Sequence, residues 1–235
     1  MLDPAPRTRQ DDRVNTYVRP SIDSPSFRGA DGRVIPYGSR WGGSPPEDSY
    51  SVETNLERFA PLHTVADALI GHLRDTYDVK IEEGPEASAD LLHPAHHDVV
   101  RAVHIRPSDP RCAALTVLFT AHPGICVHAG LLNDFPYPVC GCDACDAIWQ
   151  AEADELERQV FAVVMGRYRE TVERRGLDPW VGYAFTYPDG SWSGGRREPG
   201  IPPARLQAAE SVLRDLPEGW REWPRATGSG TRDDD

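Results

Sequence analysis

The hydrophobic period of this chain changes twice, and those changes restrict its fold more than any motif does. Leu62, Val65, Ala66, Leu69, Ile70, Leu73 and Tyr77 recur at steps of three and four, which predicts a helix from Ala60 to Tyr77 with one buried face. Pro61 suits its first turn, and Thr54 and Glu57 have the spacing of a capping box ahead of it. A strand from Val79 to Glu82 follows. From Val99 the period becomes two: Val99 to Arg106 reads as a strand, and Ala113 to Thr120 places Ala113, Leu115, Val117 and Phe119 on one face. Ala121-His122-Pro123-Gly124 is short enough for a hairpin into Ile125 to Leu132, where Cys126 and His128 share the face opposite Ile125, Val127 and Ala129.

The helical period returns at Trp149. Ala153, Leu156, Val160, Val163, Val164, Tyr168 and Val172 predict a helix of about seven turns, capped by Gly176 and with Asp143 or Asp146 at its start. Trp180 to Tyr187 alternates again, Pro188-Asp189-Gly190 is a turn, and Ser191 to Gly194 is the return strand. Pro202 to Leu216 reads as the last helix, stopped by Pro217. Helix, strands, helix, strands, helix is the order of an α+β fold, with helices packed on one face of a mostly antiparallel sheet. The expected organisation is a Pro/Gly-rich arm over residues 1–48, partly ordered by Tyr17, Phe27, Ile35, Tyr37 and Trp41. A single domain over 49–220 and a disordered tail over 221–235 complete it.

Charge and composition exclude some partners. At 235 residues the chain can bury one substantial core, and no apolar run approaches the roughly 20 residues of a membrane span. A net charge of −12 opposes phosphate backbones, so nucleic acid is not expected and another protein is the expected partner. Met1 to Arg7 carries no apolar stretch of a secretory signal, which points to the cytoplasm and to free thiols. Lys80 is the only lysine among 25 basic residues, a bias that codon usage explains without a functional reason.

Three of the five cysteines lie within Cys140-Gly141-Cys142-Asp143-Ala144-Cys145-Asp146. Cys142-x-x-Cys145 has the spacing that brings two sulfurs to one zinc ion across a tight turn, and Cys140 supplies a third. A closed site needs a fourth ligand from Cys126, His128 or Asp146, with Cys112 at the far end of a strand. The expected set is Cys140, Cys142, Cys145 and His128, with zinc as the cofactor. The same sulfurs admit a redox pair, although no parallel strand–helix–strand pattern introduces them, and they admit plain packing as small apolar side chains. His93, His96, His97 and Asp98 form a second polar cluster whose spacing matches no zinc-hydrolase pattern; a solvated loop is expected. Tyr183, Phe185, Tyr187 and Trp192 read as core and sheet-face aromatics. Nucleophile-elbow, phosphate-loop, dinucleotide and His-Glu-x-x-His motifs are all absent from the sequence.

Ser49 to Glu53, Glu57 to His63 and Phe135 to Asp146 resemble an uncharacterised actinobacterial family, a domain of unknown function designated DUF 6226. The resemblance covers about residues 49–195, and Cys-Gly-Cys-Asp-Ala-Cys-Asp is its most specific part. The family pattern has a second acid where this chain has Ala147, so that position receives no role. The resemblance implies a bacterial source and no mechanism. The expected function is a non-enzymatic binding or structural protein with a zinc site at the cysteine motif. The alternatives are an acidic immunity-type inhibitor of a basic toxin, and a thiol-redox or metal-dependent enzyme.

Overall fold

A computed structural model describes residues 17–92, 98–175 and 178–227. The first helix, α1 (Pro61–Thr76), opens on Pro61 and buries Leu62, Val65, Ala66, Leu69, Ile70 and Leu73, the stripe its spacing predicts. It leads into a five-stranded antiparallel meander, β1 (Val79–Glu83), β2 (Val99–Pro107), β3 (Leu115–Thr120), β4 (Gly124–Ala129) and β5 (Asn133–Tyr137), with strands in sequence order. The second helix is α2 (Trp149–Val164). It precedes a separate three-stranded antiparallel sheet, β6 (Tyr168–Arg175), β7 (Asp178–Tyr187) and β8 (Gly190–Arg197), and then α3 (Pro203–Arg214).

The fold class is α+β, as the period changes require, and both sheets are antiparallel. Helices α1 and α2 share one core with the inward residues of the five-stranded sheet, among them Val103, Ile105, Leu115, Val117, Val127 and Phe135. Tyr168, Phe185 and Tyr187 of the second sheet belong to that core, and Phe185 stacks on Tyr168 at 4.9 Å between ring centroids. Helix α3 closes a smaller cluster of Leu132, Val181, Ile201, Leu206 and Ala209.

Two elements differ from the sequence reading. The second helix ends at Val164, because Gly166 adopts φ +66° and a Cβ there would meet the Glu222 nitrogen at 2.5 Å. Tyr168 and Val172 therefore belong to β6, where their spacing of four serves one strand face as readily as it serves a helix. Gly176, the expected cap, lies outside the described residues. Strand β4 ends at Ala129, short of the expected Leu132, and a turn at Gly130, φ +69°, leads into β5, which the sequence reading does not contain.

Both chain ends of the described region pack on this frame. Tyr17 donates to Glu157 Oε1 at 2.8 Å and Arg19 to the same oxygen at 2.8 Å, which lays residues 17–19 along α2. At the other end Trp220 and Trp223 are buried, and the Trp223 indole donates to the Ala113 carbonyl at 2.8 Å.

Candidate metal centre

The loop between β5 and α2 carries the cysteine motif, and hydrogen bonds from distant segments define its shape. Asp143, buried, accepts from the Thr54 amide at 3.2 Å and from its hydroxyl at 2.8 Å. The Asp143 amide donates to Val52 O at 2.7 Å and the Ala144 amide to Ser49 O at 3.1 Å. Arg58, also buried, donates from Nη2 to Gly141 O at 2.8 Å and from Nε to Ala147 O at 3.3 Å. Residues from the arm complete the cage: Trp41 Nε1 reaches Asp143 O at 3.2 Å, and the Arg40 amide reaches Asp146 Oδ2 at 2.8 Å. Thr54 therefore does not cap a helix, and Asp143 and Asp146 do not cap α2, whose N-cap is Ile148 without a side-chain bond.

Within this cage the Cys140 and Cys142 sulfurs are 3.2 Å apart and those of Cys142 and Cys145 are 3.4 Å apart. All three lie within 4.8 Å of one another. Tetrahedral zinc with bonds of about 2.3 Å needs sulfurs about 3.8 Å apart, so shifts of about half an ångström admit an ion. The donor set and its spacing fit a thiophilic divalent cation. Cys142 is buried, whereas Cys140 and Cys145 are exposed. The hydrogen bond with Cys140, followed by a backbone bond from Cys145, lowers the Cys142 thiol to about 7. Cys145 is pushed up to about 12, chiefly by its hydrogen bonds with Cys140 and Cys142. A thiolate held between two thiols is what an entering cation meets when it displaces shared protons.

The structure brings together Cys140, Cys142 and Cys145 and leaves His128 out of the group. His128 sits on β4 four residues beyond Gly124, about 13 Å along the strand at ~3.3 Å per residue, with Nδ1 2.5 Å from Asp134 Oδ1. It belongs to a polar row crossing all five strands, in which Glu82, His104, Thr116, His128 and Asp134 are successive register partners. Cys126, on the same face, packs with Ala87, Leu91, Ala102 and Leu118, and burial pushes its thiol up to about 12. Cys112 donates to Glu222 O at 3.2 Å, and burial raises it to about 11. His93, His96 and His97 lie outside the described residues.

Two residues to which the sequence reading gives no site role flank the motif. Glu53 and His122 line a cleft of about 660 Å³ together with Asp98, Tyr137 and Cys140, and His122 Nε2 is 3.5 Å from Glu53 Oε2. No spacing rule links Glu53 to Cys140; the only signal is that Glu53 ends the Ser49 to Glu53 segment. The four aromatics of β7 and β8 are core and sheet-face packing: Phe135 meets Tyr183 at 5.0 Å and Phe185 at 5.4 Å, and Trp192 stays partly exposed.

Fold and site together define an α+β protein with a surface-opening cluster of three thiols on a pre-shaped loop. Residues 23–227 match a family of unknown function, DUF6226, and the chain belongs to that family. No curated protein and no solved structure matches it. Among the described residues, no helix is long and apolar enough to cross a membrane.

Proposed function

We propose that this chain is a non-enzymatic binding protein that holds one zinc ion through Cys140, Cys142 and Cys145, in a reducing cytoplasm where the thiols stay free. The observation that carries this reading is the convergence of three sulfurs within 4.8 Å on a loop already shaped by Asp143, Arg58 and Arg40. Such a loop does not need the ion to fold, unlike a zinc finger. Cys140 and Cys145 face outward, so the ion braces a surface that another protein can read, and the net charge of −12 suits a basic partner. The test is the metal content of protein purified without added metal and without a histidine tag, beside Cys145→Ser. About one equivalent of zinc, lost in the variant, supports the reading; metal-free protein with freely titrating thiols refutes it.

A second reading, thiol–disulfide exchange between Cys142 and Cys145, is favoured by their 3.4 Å separation and the lowered Cys142 thiol. The burial of Cys142 weighs against it, since an attacking sulfur must be reached by its substrate. Mass analysis after exposure to a glutathione redox buffer separates the two readings, because only the second requires a reversible loss of two hydrogens between these cysteines.

A further inference from the structure

Three thiolates leave a zinc-class ion one ligand short, and the side chains around the thiol turn differ in how well they can supply it. Asp143 is occupied by Thr54 and by Arg40, whose Nη1 is 3.5 Å from Asp143 Oδ1. Asp146 gives Oδ2 to the Arg40 amide, while its Oδ1 is buried without a hydrogen-bond partner among the described residues. Glu53 is placed differently. The residues on either side of it are tied to the thiol loop, Val52 through the Asp143 amide and Thr54 through the Asp143 carboxylate. This double clamp fixes the Glu53 backbone against the motif and leaves only its side chain to move.

That side chain already leans on the turn. Glu53 Oε1 lies 3.5 Å from the point where a Cβ on Gly141 would stand, and Gly141 is the residue between Cys140 and Cys142. The other oxygen, Oε2, faces His122 Nε2 at 3.5 Å. The side chains of Glu53 and His122 are each 48% exposed, so a rotamer change meets little packing resistance, and both line the same cleft as Cys140. One oxygen lies beside the thiol turn and the other faces an imidazole; Glu53 stands outside the three-sulfur group, so a rotamer change must carry its carboxylate to the ion, with His122 as its outer hydrogen-bond partner.

We propose that Glu53 is the fourth ligand of the ion and that His122 is the positioning residue that holds its carboxylate. This rests on the three-thiol reading above. Binding balances simply: Oε1 approaches the cation to about 2.0–2.2 Å and keeps its charge, while thiol protons leave to solvent. The fourth ligand is then half exposed, and the ion faces the 660 Å³ cleft.

The experiment uses cobalt(II) as the probe, added to the full chain after chelation, with the thiolate-to-metal absorption and the ligand-field bands as readouts. Wild type should give a four-coordinate spectrum. Glu53→Gln should weaken the ion about 10–100-fold and shift the ligand-field bands toward a water ligand. His122→Ala should weaken it less and keep the four-coordinate spectrum. Cobalt affinity of Glu53→Gln within twofold of wild type overturns the proposal. If wild type shows no thiolate bands, the three-thiol reading itself fails. Thermal melts of the metal-free variants guard against misfolding, because neither half-exposed side chain should alter the apo transition.

Discussion

Arg58→Met tests whether the thiol loop is held by protein contacts alone. The Arg58 guanidinium is buried and donates to the carbonyls of Gly141, Ala147 and Asn55 at 2.8, 3.3 and 3.4 Å, and also to that of Thr54. It lies 4.5 Å over the Tyr37 ring and 4.3 Å over that of Phe59. Two well-formed bonds from a charged donor are worth about 1.5–3 kcal/mol each, and two cation–π contacts add about 0.5–1 kcal/mol each. Against this gross sum of about 4–8 kcal/mol stands the cost of burying a cation, several kcal/mol that methionine avoids. The net expectation is a loss of about 2–4 kcal/mol, or a melting point lower by about 5–15 °C for a chain of this size. Circular dichroism melts of the metal-free protein measure it. Because Gly141 sits between two of the cysteines, Cys140 and Cys145 should also react faster with a disulfide reagent. A melting point within about 2 °C of wild type, with unchanged thiol kinetics, would refute the claim that Arg58 shapes the loop.

Other consequences are independent of Arg58. In metal-free protein, alkylation of Cys142 should rise with pH around a midpoint near 7, while Cys112 and Cys126, raised to about 11 and about 12, stay unmodified at pH 8; peptide mass mapping reads this out. Chelation should leave the far-ultraviolet spectrum intact and lower the melting point by about 5–10 °C, the mass-action value for an ion at about 100 times its Kd. Burial opposes the charge of Asp134, but the contact with His128 and the Leu92 amide outweigh it and hold the carboxyl below its usual range. A lowered native pKa gives stability that is present above the ordinary carboxylate range and is lost as pH falls through the native value. Asp134→Asn should therefore cost about 1–2 kcal/mol at pH 7 and flatten the decline of urea midpoints between pH 5 and 3. Gly130→Ala places a Cβ 2.0 Å from Glu170 Oε2 at φ +69° and should lose more than about 3 kcal/mol, seen as insoluble or molten protein.

The legible part of this fold is the part that burial periodicity controls. Helix α1 occupies Pro61–Thr76 where Ala60 to Tyr77 is expected, and the β7–β8 hairpin turns at Pro188-Asp189 as its residues predict. Errors occur where one spacing serves two structures. Tyr168 and Val172 lie four apart, which continues the stripe of α2 and equally places both on one face of β6; only the backbone demand at Gly166 decides between them. Strand β5 is not legible because Asn133-Asp134-Phe135-Pro136-Tyr137 contains residues that strands disfavour, and its pairing with β4 overrides that local preference.

The candidate site divides along a similar line. Cys140, Cys142 and Cys145 are legible because short sequence separation nearly guarantees proximity, so spacing alone places three sulfurs within reach of one ion. His128 shares a strand face with Cys126, but a strand carries its residues away at about 3.3 Å per step, and the cross-strand partner Asp134 claims the imidazole. Arg58, Thr54, Arg40 and Glu53 act on the motif from 83 to 106 residues away in sequence. Nothing local in the sequence announces them, because their role depends on carbonyls and a carboxylate that converge only once the loop is folded. The same separation gives the site its character. A motif that folded around its own ion would carry all its ligands locally, whereas this one is shaped from outside, so an ion entering it would need only small shifts of the sulfurs. Selectivity among thiophilic ions should then follow how closely each tolerates the sulfur spacing, and not its raw affinity order.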